Sequence, residues 1–430
     1  MIRVSWFTEL KPEEKIIEEN ILNIIKNSYQ QVGYTQIETP AVEKNTVLTA
    51  KWWNEISKQI FWLYWLAQWC NDTKDYSLHF DLTVPFARYV IDHRSELTFP
   101  FKRSQIQKVW RWEKAQKWRF REFYQADIDV IWEELNNQNK NKYIFYDAEI
   151  IFTIIRTLKN IFNNLKLNCS FKVKINNKKI IYWFIKDLNL LNKITEITTI
   201  IDKKDKIKTE KFIELLKLEW LTKDQIIKIQ NFISQDIQTA EKFSSNSEYL
   251  EWINELKQVA NLLEKLWICE YEIDFWIVRW LDYYTWTVFE TFIEEEIQLW
   301  SIASGWRYEK FTRFIDNKTN FSWVWWSIWV SRLETFVFNK LNYNKKTTSE
   351  YLILNFQETN KQCINLFLNF LNEWKKVELY PEYDKLKKQL KYADKKWINY
   401  CVILGENELK EKCYIIKNMK NWKQEKIYLK

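Results

Sequence analysis

The chain has 430 residues, 28% charged and 47% hydrophobic, with a formal net charge of +8. That length exceeds a single hydrophobic core and sets an expectation of two or three domains. No apolar run approaches the ~18 residues of a membrane span, and Met1-Ile2-Arg3-Val4-Ser5 is no signal peptide, so a cytoplasmic protein without a membrane partner is expected.

Residues 12–32 read as an amphipathic helix, with Pro12 at its start, Ile17, Ile21, Ile24, Ile25 and Tyr29 on one face, and Gly33 as its cap. A short strand over Tyr34–Glu38 follows. Alternation in Tyr76–Arg88, Ile106–Glu113 and Phe120–Ile131 predicts an antiparallel sheet, and helix returns near 143–165. From 166 to 266 the pattern is Lys/Ile/Leu-rich and mostly helical, with one strand-like piece at Phe171–Ile175, as expected of an insertion. Strands resume at Tyr271–Ile293 and lead to an unusual run, Phe321–Leu333. Residues 342–350 are a polar linker, and the alternation beyond it predicts a small α/β domain over 351–430 with a mostly parallel sheet.

Three segments carry chemistry. In Phe80-Asp81-Leu82-Thr83-Val84-Pro85-Phe86-Ala87-Arg88, a carboxylate and a hydroxyl could accept the donors of an ammonium group, although a strand-end turn explains Asp81 and Thr83 equally well in isolation. Val109-Trp110-Arg111-Trp112-Glu113, continuing through Arg119 to Asp129, reads as two strands around a basic loop. Such a hairpin can hold a bent nucleotide, with arginines on phosphates and an aromatic ring over the base. The third is Val278-Arg279-Trp280-Leu281-Asp282-Tyr283-Tyr284-Thr285-Trp286-Thr287-Val288-Phe289-Glu290.

Together these segments resemble histidyl-tRNA synthetases, a class II family, over essentially the whole chain. The resemblance implies an α+β fold: a catalytic domain of antiparallel sheet flanked by helices (1–165 and 267–341), a helical insertion (166–266) and an anticodon-binding α/β domain (351–430). It implies ATP-dependent ligation of L-histidine to its tRNA through an adenylate, with Mg²⁺ accompanying ATP, in a homodimer. By resemblance, Arg111, Arg279 and Gln125 are catalytic. Asp81, Thr83, Gln125, Asp129, Tyr283, Tyr284 and Tyr308 hold histidine. Arg111, Glu113, Arg119, Phe123, Arg279 and Arg332 hold ATP, and Lys114 and Gln116 lie in the loop that meets the tRNA acceptor end. Two alternatives share the fold: a non-catalytic regulatory or binding subunit, and a class II ligase for another amino acid.

Six cysteines (Cys70, Cys169, Cys269, Cys363, Cys401, Cys413) are scattered, with His79 and His93 the only histidines, so no protein metal site is expected and the thiols are read as reduced. One feature is abnormal: 3 glycines and 26 tryptophans, together 29, which is near the usual glycine share of about 7%. Tryptophan occupies the family's glycine positions at Trp110, Trp112, Trp118, Trp132, Trp280, Trp286, Trp306, Trp323, Trp325, Trp326 and Trp329, and likewise at Trp52, Trp53, Trp62 and Trp69. The expectation is a UGA codon that means glycine in the source organism and has been written as tryptophan. Read literally, the indoles of the Phe321–Leu333 run are expected to overfill the nucleotide floor and to prevent the segment from packing.

Overall fold

Pro12 occupies the first helical position, where its missing N–H has no partner to lose, and Glu13 and Glu14 face the positive end of the helix dipole. Helix α1 therefore runs Pro12–Gln31. Its Ile21, Ile25 and Tyr29 are buried. Gly33 ends it at φ +84°, with Gly33 N–H on Gln30 O (3.0 Å) and Tyr34 N–H on Tyr29 O (3.1 Å). The structure is a computed structural model that describes residues 4–50, 58–64, 75–113, 118–133, 140–204, 207–277, 287–308, 311–341 and 343–429. It divides into two units, Met1–Thr8 with Ile21–Val337, and Glu9–Asn20 with Phe338–Lys430.

The first unit is built on an eight-stranded sheet in the order β1-β4-β5-β10-β9-β8-β6-β7. Its strands are β1 (Thr35–Gln36), β4 (Phe101–Trp110), β5 (Glu122–Glu133), β6 (Phe171–Asn177), β7 (Tyr271–Ile273), β8 (Thr287–Ile293), β9 (Ala303–Tyr308) and β10 (Phe321–Trp329). Only the outer pairs β1/β4 and β6/β7 are parallel. A separate ribbon joins β2 (Val42–Lys44) to β3 (Tyr76–Leu78).

Two expectations change here. The alternation read as strand up to Arg88 ends at Leu78, and helix α2 occupies Thr83–Asp92. The Asp81 carboxylate accepts the N–H groups of Thr83 and Val84 (3.1 Å each), and Pro85 lies in the first turn, where its lost N–H is harmless. The strand expected inside the insertion, β6, pairs instead with β8 in the large sheet. Helices begin after it: α4 (Lys178–Asp187), α5 (Ile194–Ile201), α6 (Thr209–Leu218), α7 (Lys223–Ile233) and α8 (Ser247–Lys265), numbered after α3 (Lys140–Asn164).

Side chains alternate across a strand, so register assigns every residue to a face. One row runs Arg103–Asp129–Trp325–Trp306–Val288–Asn176, and the next on the same face runs Gln105–Asp127–Ser327–Ser304–Glu290–Lys174. The opposite face carries Ser104, Ile128, Trp326, Gly305, Phe289 and Ile175. Trp326 stacks there on Phe289, ring centroids 4.6 Å apart. A Cβ on Gly305 would lie 2.3 Å from the Trp325 carbonyl oxygen, so glycine is required at that crossing. Also on this face, Arg307 is buried between the Asp147 carboxylate of α3 and the Glu255 carboxylate of α8 (Nη1 to Oε1 2.8 Å), while the Thr287 hydroxyl donates to Asp147 (2.7 Å). A charged clamp thus ties two helices to the sheet.

The expected failure of the Phe321–Leu333 run to pack does not occur. Strand β10 pairs along its length with β5 and over most of it with β9. Its indoles divide between the two faces: Trp323 and Trp325 join a front cluster with Phe86, Tyr308 and Trp306, and Trp326 goes to the back. Helix α9 (Val330–Lys340) follows at once.

The second unit holds a five-stranded sheet, β12-β11-β13-β14-β15, from β11 (Tyr351–Ile353), β12 (Val377–Leu379), β13 (Tyr400–Ile403), β14 (Cys413–Asn418) and β15 (Gln424–Tyr428). Two of its pairings are parallel and two antiparallel, so it is less parallel than expected. Helices α10 (Asn360–Asn372) and α11 (Leu386–Lys396) cover opposite faces: Cys363, Leu366 and Phe370 pack on Ile353 and Val402, and Ala393 on Leu352 and Cys401.

Candidate active site

Strands β4 and β5 converge at the mouth of a cleft of about 900 Å³. Arg111, Glu113, Arg119, Phe123 and Arg332, five of the six residues expected to hold ATP, all line it. The Arg111 guanidinium lies 4.3 Å from the Phe80 ring centre and 5.2 Å from that of Phe123, and its Nε donates to Phe80 O at 3.0 Å. Arg119 pairs with Glu113 at 2.9 Å, and Arg332 donates to the Ser301 carbonyl. An indole intrudes: Trp329 sits 5.5 Å from Phe123 and 4.9 Å from the Arg111 guanidinium. Trp329 thus lies against two side chains expected to hold ATP. The sixth residue, Arg279, lies outside the described residues, as do Tyr283 and Tyr284 of the same segment and the loop residues Lys114 and Gln116.

Of the residues expected to hold histidine, Gln125 and Asp129 stand two strand rows apart on the front face, with Tyr308 on the same face. Asp81 and Thr83 stand at the N-terminus of α2. Gln125, Asp129, Tyr308 and Thr83 are all buried. On the same face Trp306 and Trp325 pack together, ring centroids 4.3 Å apart, and Trp323 lies 5.1 Å from Tyr308. The Trp325 indole N–H donates to Asp127 at 2.7 Å.

Reading motifs one at a time overlooks Arg103 and Asp127. Both are fully buried, and Arg103 is the cross-strand partner of Asp129. Their signal in the sequence is polar residues at every second position, Arg103-Gln105-Gln107 against Gln125-Asp127-Asp129, in strands that otherwise read as core. His79 is structural: it is buried, its Nε2 lies 2.6 Å from the Lys108 carbonyl oxygen, and burial lowers its pKa.

Burial pushes the Asp127 carboxyl up to about 6, opposed by the Arg103 charge, and burial raises Asp129 well above the usual carboxylate range. A group whose pKa is higher folded than unfolded binds its proton more tightly when folded. Asp127 therefore penalises the folded state at pH 7, and the penalty is relieved as pH falls through about 6 toward the ordinary 3.8. Asp127→Asn removes the titration. Urea unfolding at pH 7.5, 6 and 5 is expected to show the wild type gaining stability relative to Asp127→Asn with each downward step. Parallel profiles would refute the assignment.

An antiparallel sheet with paired basic and acidic residues on one face, a hairpin mouth lined by arginines and a separate α/β unit defines the class II synthetase fold. The sequence pattern of the family described as histidyl-tRNA synthetase matches residues 6–320, and that of an anticodon binding domain matches residues 352–430. The chain is 37% identical to a histidine–tRNA ligase of Clostridium acetobutylicum, over 98% of this chain and 96% of that one. A histidyl-tRNA synthetase crystal structure from Nostoc superposes with TM-score 0.87 at 30% identity, covering 99% of this chain and 96% of that one. A Bacillus halodurans structure titled as an ATP phosphoribosyltransferase regulatory subunit/histidyl-tRNA synthetase shares the fold alone, at 19% identity, TM-score 0.73, and coverage of 91% and 96%. The chain belongs to the histidyl-tRNA synthetase family.

Proposed function

We propose that the protein joins L-histidine to its tRNA with ATP, by way of a histidyl adenylate, and that its tryptophans stand for glycines in the polypeptide the cell makes. The convergence of Arg111, Glu113, Arg119, Phe123 and Arg332 on one cleft carries the first half. There the histidine carboxylate attacks the α-phosphate of ATP in line and pyrophosphate leaves, with no protein nucleophile. Arg111 and Arg279 offset charge growing on the α-phosphate, and Gln125 orients the carboxylate. Glu113 and Phe123 hold adenine, and Arg119 and Arg332 meet the outer phosphates. Asp81 and Thr83 take the ammonium. Asp129, Tyr283, Tyr284 and Tyr308 border the imidazole, which the wrong amino acid could not satisfy. Mg²⁺ enters with ATP, whose hard phosphate oxygens suit it as ligands.

The reading assigns catalysis to residues 1–165 and 267–341, the insertion to the helices within 166–266, a linker to 342–350 and anticodon recognition to 351–430. Lys114 and Gln116 face the acceptor end of the tRNA. It takes the protein as a cytoplasmic homodimer; among the described residues no helix is long and apolar enough to cross a membrane. Identity of 37% to a histidine–tRNA ligase over 98% of this chain and 96% of that one favours the enzyme over the non-catalytic alternative.

The backbone supports the second half. Among the described residues, eleven that are not glycine have φ between +50° and +73°, and eight of them are tryptophan: Trp6, Trp118, Trp220, Trp267, Trp300, Trp374, Trp397 and Trp422. L-residues avoid that region and bulky aromatic ones most of all. The indole N–H groups of Trp132 and Trp326 are also buried without an acceptor, at a cost of about 1–3 kcal/mol each. Of the described tryptophans expected at motif glycines, Trp118 alone has this backbone; those in β4, β5, β9 and β10 have ordinary strand geometry, where glycine would serve close approach.

Peptide masses of the protein from its own cells test the decoding, and a tryptophan mass at Trp220 or Trp325 would sink it. Amino-acid-dependent pyrophosphate exchange by that protein tests the activity: histidine alone should support exchange. Support by another amino acid, or by none, would overturn the ligase reading.

A further inference from the structure

Arg103 has no role among the segments that carry the family resemblance, yet its side chain is fully buried on the face of the sheet that borders the amino-acid site. Its Nη1 lies 3.2 Å from the Asp129 carboxylate and 3.9 Å from that of Asp127. Its Nη2 donates to the Leu82 carbonyl at 3.1 Å, and the Phe86 ring closes over the guanidinium at 4.2 Å. Leu82 is the residue between Asp81 and Thr83. One guanidinium thus touches both groups of residues assigned to the substrate: the turn that would take the ammonium, and the carboxylate that would face the imidazole. Neither oxygen of Asp129 has a hydrogen-bond partner among the described residues, although both are buried. A buried carboxylate without a donor, held by a cation beside it, is arranged to receive a donor from a ligand.

We propose that Arg103 is a positioning residue for amino-acid selection: its guanidinium fixes the Asp81–Thr83 turn relative to Asp129 and opposes the protonation of Asp129 that burial favours, so that a side chain offering an N–H satisfies the carboxylate. Arginine suits the place because Nη2 donates to Leu82 while Nη1, which makes no hydrogen bond, still lies beside both carboxylates, a spread that a single ammonium lacks. Removing the charge leaves Asp127 and Asp129 buried two residues apart with nothing to offset them, so the pair would hold a proton and Asp129 would lose its value as an acceptor. This rests on the histidine-ligase reading above.

The test uses full-length protein carrying, at the 26 tryptophan positions, whichever residue the peptide masses report. Arg103→Met should raise KM for histidine on the order of tenfold or more, with KM for ATP unchanged. That KM should fall again as pH rises, as Asp129 is forced to ionise. Arg103→Lys should recover part of the loss. Equal changes in both KM values, or a histidine KM unmoved at every pH, would overturn the proposal. An independent reading follows the Asp129 carboxyl by ¹³C NMR of aspartate-labelled protein, assigned through Asp129→Asn. Its titration should move upward in Arg103→Met whether or not the protein activates histidine, and an unmoved titration would sink the role of Arg103. If the parent protein fails to exchange with histidine, that outcome counts against the ligase reading alone.

Discussion

Protein with glycine at all 26 tryptophan positions is expected to catalyse histidine-dependent pyrophosphate exchange at least about 10³-fold faster than one retaining tryptophan at 306, 323, 325 and 329 alone. The four indoles stand among the side chains proposed to hold the reacting groups. Trp329 lies against both Phe123 and Arg111, the residues assigned to adenine and to the α-phosphate. Trp306 and Trp325 pack on each other as neighbours in the row that holds Arg103 and Asp129, Trp323 leans on Tyr308, and the Trp325 N–H donates to Asp127. A misplacement of about 1 Å costs on the order of 10² in rate, and a ring in the place of substrate costs more. The same structure predicts that the four-tryptophan protein still folds. Trp323, Trp325 and Trp306 are 0%, 3% and 9% exposed, and β10 keeps its pairing on both sides. The readout is therefore exchange rate set against an unchanged circular dichroism spectrum. Equal rates in the two proteins would show that the indoles are compatible with the site, and the decoding argument drawn from it would fall.

The site was legible in the sequence to the extent that local strings encode it. Arg111, Glu113, Arg119, Phe123 and Arg332 are separated by up to 221 positions, yet the resemblance of their short segments to family motifs singles out each one, and the fold brings them to one cleft. Arg103 and Asp127 were overlooked because their meaning lies in register: only the pairing of Arg103 with Asp129 sets a guanidinium beside two carboxylates. Strand β6 was misassigned for a related reason, its partner β8 being more than a hundred residues away behind five helices, at a distance where periodicity is silent. Over residues 81–88 hydrophobic alternation predicts strand. The decisive term was local, an aspartate cap and a first-turn proline. In the second unit β15 has a mostly exposed, polar pattern that carries no hydrophobic signal, and so the antiparallel edge of the sheet was not foreseen.

Replacing Trp220, Trp267, Trp374 and Trp397 by glycine is expected to stabilise the protein by about 1 kcal/mol net at each site, about 4 in all. Each follows a helix, α6, α8, α10 or α11, in the position where the chain turns left-handed, with φ of 59°, 59°, 58° and 58°. Each makes the same pair of bonds. After α8, Trp267 N–H reaches Glu264 O at 2.9 Å and Ile268 N–H reaches Leu263 O at 3.0 Å; after α10, Trp374 reaches Leu371 at 2.9 Å and Lys375 reaches Phe370 at 3.0 Å. This is the Schellman ending that Gly33 makes after α1. An L-residue there carries about 1–2 kcal/mol of strain between Cβ and backbone. Glycine relieves it and returns part of the gain through its freer unfolded chain. Little burial is forfeited at three of the sites, where Trp220, Trp267 and Trp374 are 88%, 89% and 94% exposed; Trp397, at 52%, gives up more. Alanine separates the causes: it removes the indole and keeps the Cβ, so the four-alanine protein should gain almost nothing. The two units each hold two of the sites, and urea unfolding followed separately for each should report about half the gain. A four-glycine protein no more stable than the four-alanine one would mean that these turns tolerate tryptophan, and the strongest backbone argument for glycine would be lost.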